Sequence, residues 1–409
     1  MTFPIRKIAA AACIAALAGG CATVPRAQSE MANSLDQIIE GGIAAKTFPG
    51  AVIVVGRGES VLYQRTYGAR DFAPGAPPME MNTLFDMASV SKPAGAGTMA
   101  LMLIDEGKLS LEDPVSKYIP GFDANGKSTV RVRELMTHSS GLKAYENWKT
   151  VEATRAPDTS KPDALMARYA SLSTVYTPRE GHVYSCINFQ TLAHVCEQAA
   201  GESMATYMAA RLYGPMGMTD TTYTPTAEQL SRTAPTMRSP DGAPIVGVIH
   251  DPLARYHGTE TCTPGNAGLF STGADMARFC QIWLNDGNFD GRGYLKAETV
   301  AMATSNQLPQ VPDEPYGLGW DIWNSAPYRT PLNDLAENAT FGHTGYTGTL
   351  LWMDKRTKTY VVLLTNRVLP QPGSQEENEG IQLVRRRVVA AVLSAQPEYA
   401  DLPPQPIPE

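Results

Sequence analysis

Two hydrophobic runs near opposite ends of the chain are interrupted by turn residues in the manner of β-hairpins. From Gly50, the run Ala51-Val52-Ile53-Val54-Val55 meets Gly56-Arg57-Gly58 and resumes as Val61-Leu62-Tyr63, β-branched segments around a glycine turn. Towards the other end, residues 349–353 and 359–365 flank the polar turn Asp354-Lys355-Arg356-Thr357, and their Val, Leu and Trp suit a half-buried sheet. Between the hairpins the pattern becomes helical: residues 98–106 closed by Gly107, 188–200 closed by Gly201, and 203–212 closed by Gly214-Pro215. Strands at both ends enclosing a helical middle predict an α+β fold. An antiparallel sheet is built from N- and C-terminal segments and flanked by helices, with a mainly helical region inserted at roughly 95–260.

The first twenty residues break the pattern. Arg6 and Lys7 precede an apolar run over 8–18, too short to span a bilayer as a mature helix, so residues 1–20 read as a signal peptide. The run ends Leu17-Ala18-Gly19-Gly20-Cys21, which resembles the lipobox of bacterial lipoproteins with the leucine one place further from the cysteine than usual. The expectation is an exported, periplasm-facing lipoprotein acylated at Cys21. Residues 21–33, small and polar, are expected as a tether, 34–395 as the folded body, and 396–409 as a proline-rich tail.

Composition narrows the function. The 409 residues are 43 % apolar and 18 % charged, with 35 Gly and 31 Pro, which excludes a wholly disordered, collagen-like or coiled-coil chain. Lys and Arg number 34 against 41 Asp and Glu, a net charge of −7. That balance offers no footprint for nucleic acid or an anionic membrane surface. The expected partner is a small-molecule or peptide substrate, with membrane contact only through the lipid anchor and no obligate protein partner. The six histidines form no H-E-x-x-H, and neither metal nor cofactor is expected. Residues 121–128 fit the P-loop pattern letter for letter, but Pro120 directly precedes them and no buried strand leads in, so the match is accidental.

The chemistry rests on Ser89 and Lys92 in Met87-Ala88-Ser89-Val90-Ser91-Lys92. Three positions apart at a helix start they share one face, so the ammonium reaches the hydroxyl and can activate it as a nucleophile. Phe85 to Lys92 is followed by Leu103 to Val115, Thr129 to Leu142, Gly268 to Thr272 and Leu363 to Arg367. With these blocks in this order, the chain resembles the penicillin-recognising serine hydrolases: class C β-lactamases, D-alanyl-D-alanine carboxypeptidases, D-aminopeptidases and family VIII esterases. The likeness spans about residues 34–395.

The resemblance implies a second motif, Tyr-x-Asn, which here reads Tyr184-Ser185-Cys186. Tyr184 matches and Cys186 does not, which removes an amide used toward substrate; Asn188, two residues on, is its expected partial substitute. The third motif, Lys-Thr-Gly in many members, reads His343-Thr344-Gly345 before Tyr346. It implies an edge strand lining the cleft, with the Tyr346 and Ser89 N–H groups as oxyanion hole. His343 replaces a fixed charge by a group with a reference pKa of about 6.5, so the expectation is a charge change near working pH. His138 and Ser139-Ser140 read as turn and capping groups. Asn366 and Arg367 serve equally as substrate-facing or structural residues.

These readings imply a serine hydrolase with catalytic Ser89, Lys92 and Tyr184, an acyl-enzyme, and an ester, amide or peptide substrate of D-amino-acid or cell-wall type. A β-lactamase, or a non-catalytic penicillin- or cell-wall-binding lipoprotein, is the alternative. Cys196 and Cys280 sit among apolar residues as buried thiols. The resemblance places Cys186 and Cys262 both beside the cleft, where a disulfide between them is a further expectation.

Overall fold

The computed structural model describes residues 26–259, 261–311, 313–323, 340–369 and 378–397. The signal peptide, Cys21 and residues 398–409 lie outside them. The main sheet has six strands: β1 (Gly50–Arg57), β2 (Ser60–Gly68), β3 (Asp321–Ile322), β4 (Thr340–Thr344), β5 (Leu350–Asp354) and β6 (Thr359–Thr365). Their order is β2-β1-β6-β5-β4-β3, antiparallel throughout. The terminal segments meet where Ala51 pairs with Thr365 and Arg57 with Thr359, as the two hairpins require.

The inner strands β1, β5 and β6 are buried on both faces rather than one, while the edge strand β2 is largely exposed. Along β1, Val52 and Val54 join the larger core, while Ala51, Ile53 and Val55 join a second core on the opposite face. A strand covered on both sides has no polar face to show, which is why 51–55 reads as an unbroken apolar run. Helices α1 (Arg26–Ala44) and α6 (Asn378–Ser394) close the second core. Met31, Leu35 and Ile39 of α1 are buried there, so residues 26–33 form helix where a tether is expected: Met31 gives the segment an apolar anchor.

Between β2 and β3 lie α2 (Thr98–Asp105), α3 (Val132–Met136), α4 (Cys186–Ala200) and α5 (Gly273–Leu284). The middle is helical, with short two-residue ladders such as Phe85–Asp86 against Phe270–Ser271. Ser185 caps α4, its hydroxyl accepting from Asn188 N–H, and Gly201 ends it in the left-handed region at φ 74°. That cap fixes where Tyr184, the residue before it, enters the site.

Candidate active site

Ser89 sits in a single 3-10 turn, Ala88–Val90, and Lys92 opens a wide helical turn, Lys92–Gly97, that leads into α2. The turn is held from below by Asp86. Its carboxylate accepts from Ala88 N–H at 2.8 Å and from His250 N–H at 2.7 Å, which fixes Ala88 at φ 47°, costly for a residue with a Cβ. Burial pushes the Asp86 carboxyl up to about 6 against those two donors. From above, Thr347 and Thr349 hydroxyls donate to the Asp86 and Met87 carbonyls. The nucleophile's backbone is thereby tied to the β4–β5 turn.

Lys92 is fully buried, and its ammonium donates to Ser89 Oγ at 3.0 Å, to the Asn266 carbonyl at 3.0 Å and toward Cys186 Sγ at 3.7 Å. Burial alone lowers a lysine, but Cys186 and Tyr184 outweigh it and the net shift is upward. The Lys92 nitrogen lies 4.7 Å from the centre of the Tyr184 ring. Burial pushes the Tyr184 hydroxyl up to about 12, with Lys92 opposing, so the phenol keeps its proton at neutral pH.

A cavity of 390 Å³ opens over Ser89 and is lined by Tyr184, His343, Thr344, Gly345 and Tyr346, as the motifs imply, and also by Asp321, Arg367, Gln382 and Arg385. The turn after β4 packs against the nucleophile: a Cβ on Gly345 would stand 2.5 Å from the Met87 carbonyl oxygen. Arg385 of α6 donates to the Gly345 and Thr349 carbonyls at 2.6 and 2.8 Å. The strand β4 is not an edge; β3 pairs with its Phe341 and Gly342.

Three further expectations are corrected. Cys186 and Cys262 are free thiols: the first faces Lys92, while the second contacts Glu197 and His257, each at 3.3 Å. Asn188 turns inward, its Oδ1 accepting from Ser140 Oγ at 2.6 Å and its amide donating to His138 Nδ1 at 3.3 Å, so it does not stand in for the missing amide. His343 is buried, which drives its pKa down to about 3 with Lys92 adding to the effect, and its Nδ1–H donates to the Thr344 carbonyl at 2.7 Å. It stays neutral across working pH.

His138 sits in the turn that follows α3, as the sequence reading expects. It is fully buried at φ 56°, its Nδ1 accepts from Ser185 N–H at 3.1 Å, and its ring lies 4.5 Å from that of Tyr184. It backs the tyrosine while burial keeps it uncharged. Of the open pair, Asn366 is structural, donating to the Arg70 and Pro235 carbonyls, whereas the Arg367 guanidinium lies over the Tyr346 ring at 4.6 Å. Asp86, Asn266, Asp321 and Arg385 were not singled out by sequence; Asp86 and Asn266 meet their far partners 164 and 174 residues away and Arg385 its partners 40 and 36 away, and only the glycine-flanked Asn266 carries a local signal.

Comparison with known proteins agrees with this geometry. The family model described as Beta-lactamase matches residues 35–386. The chain is 29 % identical over 367 residues to a "Putative D-alanyl-D-alanine carboxypeptidase" of Escherichia coli K12, covering 83 % of this chain and 82 % of that protein. It is 28 % identical over 375 residues to an "N-acetylmuramyl-L-alanine amidase" of Bacillus subtilis 168, covering 85 % and 84 %. Among solved structures, "EstCE1, a hydrolase with promiscuous acyltransferase activity" superposes with a TM-score of 0.70 at 20 % identity, covering 90 % of this chain and 99 % of the other.

Proposed function

Because the chain belongs to the Beta-lactamase family and is a serine hydrolase, we propose that it cleaves small esters and short amides or peptides through an acyl-enzyme on Ser89. The observation that supports this most is the contact of Lys92 Nζ with Ser89 Oγ at 3.0 Å under the Tyr184 ring, at the floor of the cleft. In the minority state in which Tyr184 is ionised beside the Lys92 ammonium, Ser89 Oγ attacks the acyl carbon, its proton passes to the Tyr184 phenolate oxygen, and the carbonyl electrons move onto oxygen. The N–H groups of Ser89 and Tyr346 receive that oxyanion, a stabilisation in which one donor is worth roughly 100- to 1,000-fold. The tetrahedral centre collapses, Tyr184 returns the proton to the leaving group, and water then releases the acid by the same route reversed.

Tyr184 takes the base role because Lys92, whose net shift is upward, stays a donor that also bonds the phenol oxygen. The Lys92 ammonium donates to Ser89 Oγ and the Asn266 carbonyl, reaches toward Cys186 and shares a hydrogen bond with Tyr184, so the lysine holds the hydroxyl oxygen while the phenol oxygen shuttles the proton. Cys186 in place of an amide weakens β-lactam hydrolysis relative to ester and amide cleavage. We further propose that the protein is exported and anchored by lipid at Cys21; among the described residues, no helix is long and apolar enough to cross a membrane.

The test is turnover of p-nitrophenyl acetate and butyrate, alanine p-nitroanilide and a chromogenic cephalosporin by the fragment from residue 26. Hydrolysis of esters or anilide ahead of the cephalosporin is expected. Binding of all of them without turnover of any would leave the non-catalytic alternative.

A further inference from the structure

Tyr346 carries one of the two N–H groups that receive the oxyanion, yet the residue stands out of the core, 46 % exposed. The turn that bears it runs between Gly345 and Gly348, the second at φ 105°, and glycines give a turn little stiffness of its own. Two side chains meet the Tyr346 ring. The Arg367 guanidinium lies 4.6 Å from its centre, and the His250 imidazole stacks on it with ring centres 5.5 Å apart and planes at 28°. Both contacts fall within the range of attractive aromatic and cation–π geometry. A ring held in this way constrains its own Cα–Cβ bond, and with it the plane of the Gly345–Tyr346 peptide and the direction of its N–H.

His250 lies in a segment that is tied down and tied to the nucleophile. Arg255 donates to the Ile249 and His250 carbonyls at 2.6 and 3.1 Å, and Asp251 Oδ1 accepts from Ala254 N–H at 2.7 Å. The His250 N–H donates to one oxygen of the buried Asp86 at 2.7 Å, and the other Asp86 oxygen accepts from Ala88 N–H at 2.8 Å, one residue before Ser89. His250 thus meets both halves of the oxyanion site, the Ser89 turn through its backbone and Tyr346 through its ring. The Thr347 and Thr349 hydroxyls also hold the β4–β5 turn to the Asp86 and Met87 carbonyls. Both lie beyond Tyr346 in the chain, so the ring contact is a separate constraint on it.

We propose that His250 is a positioning residue for the oxyanion hole, its ring holding Tyr346 at the spacing from Ser89 at which both N–H groups reach one oxygen. This rests on the reading of Ser89 as the acylated residue and of these two N–H groups as the donors. A neutral substrate carbonyl bonds the donors weakly, whereas the oxyanion bonds them strongly, so the contribution of His250 falls on the transition state. Acylation and deacylation both pass through an oxyanion and slow together when the donors are misplaced. The flat ring is what the contact requires, and a phenyl ring stacks in the same way.

The experiment measures p-nitrophenyl acetate turnover by the full chain, each variant first shown to melt cooperatively. His250→Leu removes the aromatic face and His250→Phe keeps it, and both retain the backbone N–H on Asp86. His250→Leu should lose at least about fivefold in kcat and in kcat/KM alike, with KM within about twofold, the pattern of an interaction made only in the transition state. His250→Phe should stay within about threefold of wild type. A smaller loss in His250→Leu, a loss expressed only as a raised KM, or a His250→Phe as slow as His250→Leu would overturn the assignment. If His250→Leu does not fold, His250→Ala is held to the same limits, and failure of both to fold would make the residue structural and overturn it as well. Absence of ester turnover and of Ser89 labelling by a fluorophosphonate in wild type would instead overturn the hydrolase reading on which the proposal rests.

Discussion

Gly345→Ala changes one hydrogen for a methyl at the point where the β4–β5 turn leans on the nucleophile. The added Cβ would lie 2.5 Å from the Met87 carbonyl oxygen, closer still to Thr349 Oγ1, and 3.4 Å from the Ala88 Cβ. Neither close neighbour gives way easily. The Met87 carbonyl is backbone two residues before Ser89, and the Thr349 hydroxyl already donates to it at 3.0 Å. Restoring an ordinary contact of 3.4 Å opens the gap by about 0.9 Å, moving the Tyr346 N–H away from the oxygen it must receive. A misplacement of about 1 Å costs roughly 100-fold in rate. Strain of this kind destabilises by about 1 to 3 kcal/mol, and each kcal/mol lowers Tm by no more than about 2 °C in a chain of this size. The expected result is a kcat/KM for p-nitrophenyl acetate down by about 100-fold in protein that still melts cooperatively. A variant folded and within threefold of wild type would refute the coupling between this turn and the nucleophile.

Tyr184→Phe should lose about 100- to 10,000-fold in kcat/KM, the usual worth of a positioned acid–base group; retention within threefold would move the base role to Lys92. Burial raises the Tyr184 phenol to about 12 and the net shift on Lys92 is also upward, so the reactive, singly protonated pair is scarce at neutral pH and grows as pH rises. The wild-type kcat/KM should therefore climb steadily from pH 7 to 10, and a plateau reached by pH 7.5 would mean that a group of much lower pKa is the base. His343, held near 3, is neutral throughout, so KM for a carboxylate-bearing ester and for a neutral ester should keep a constant ratio between pH 7.5 and 5.5; a selective gain for the carboxylate on acidification would show that the imidazole becomes charged. Cys21→Ser should release the protein from the membrane fraction to the soluble periplasmic one, since a lipid chain there is its proposed hold on the bilayer; an unchanged distribution would remove the anchor.

The fold was legible wherever local pattern and long-range packing agree. The runs at 51–55 and 359–365 are strands because both faces are buried, and the glycines at 107 and 201 end helices by adopting positive φ. The run at 359–365 misled on exposure, since an unbroken apolar segment fits a half-buried or a fully buried strand, and the deciding helices, α1 and α6, come from the far ends of the chain. Within the site, Ser89 and Lys92 were readable because three residues of spacing fix their contact. The environment of His343 was not: a reference pKa belongs to an exposed imidazole, and its burial comes from the folded cleft. His138 and Asn188 have chain neighbours typical of turns and caps, yet 50 residues apart they bond to each other behind Tyr184. Asp321, on a strand of two residues, offers no periodicity to read.

The central claim, that Ser89 is the acylated nucleophile activated by Lys92 and Tyr184, is tested most directly by intact-protein mass spectrometry after exposure to a fluorophosphonate. Wild type should gain one adduct, mapped by peptide digestion to the segment containing Ser89, and Ser89→Ala, once a cooperative melting curve shows it to be folded, should gain none. Labelling of Ser89→Ala at the wild-type rate, or an adduct mapped to another serine, would contradict the account.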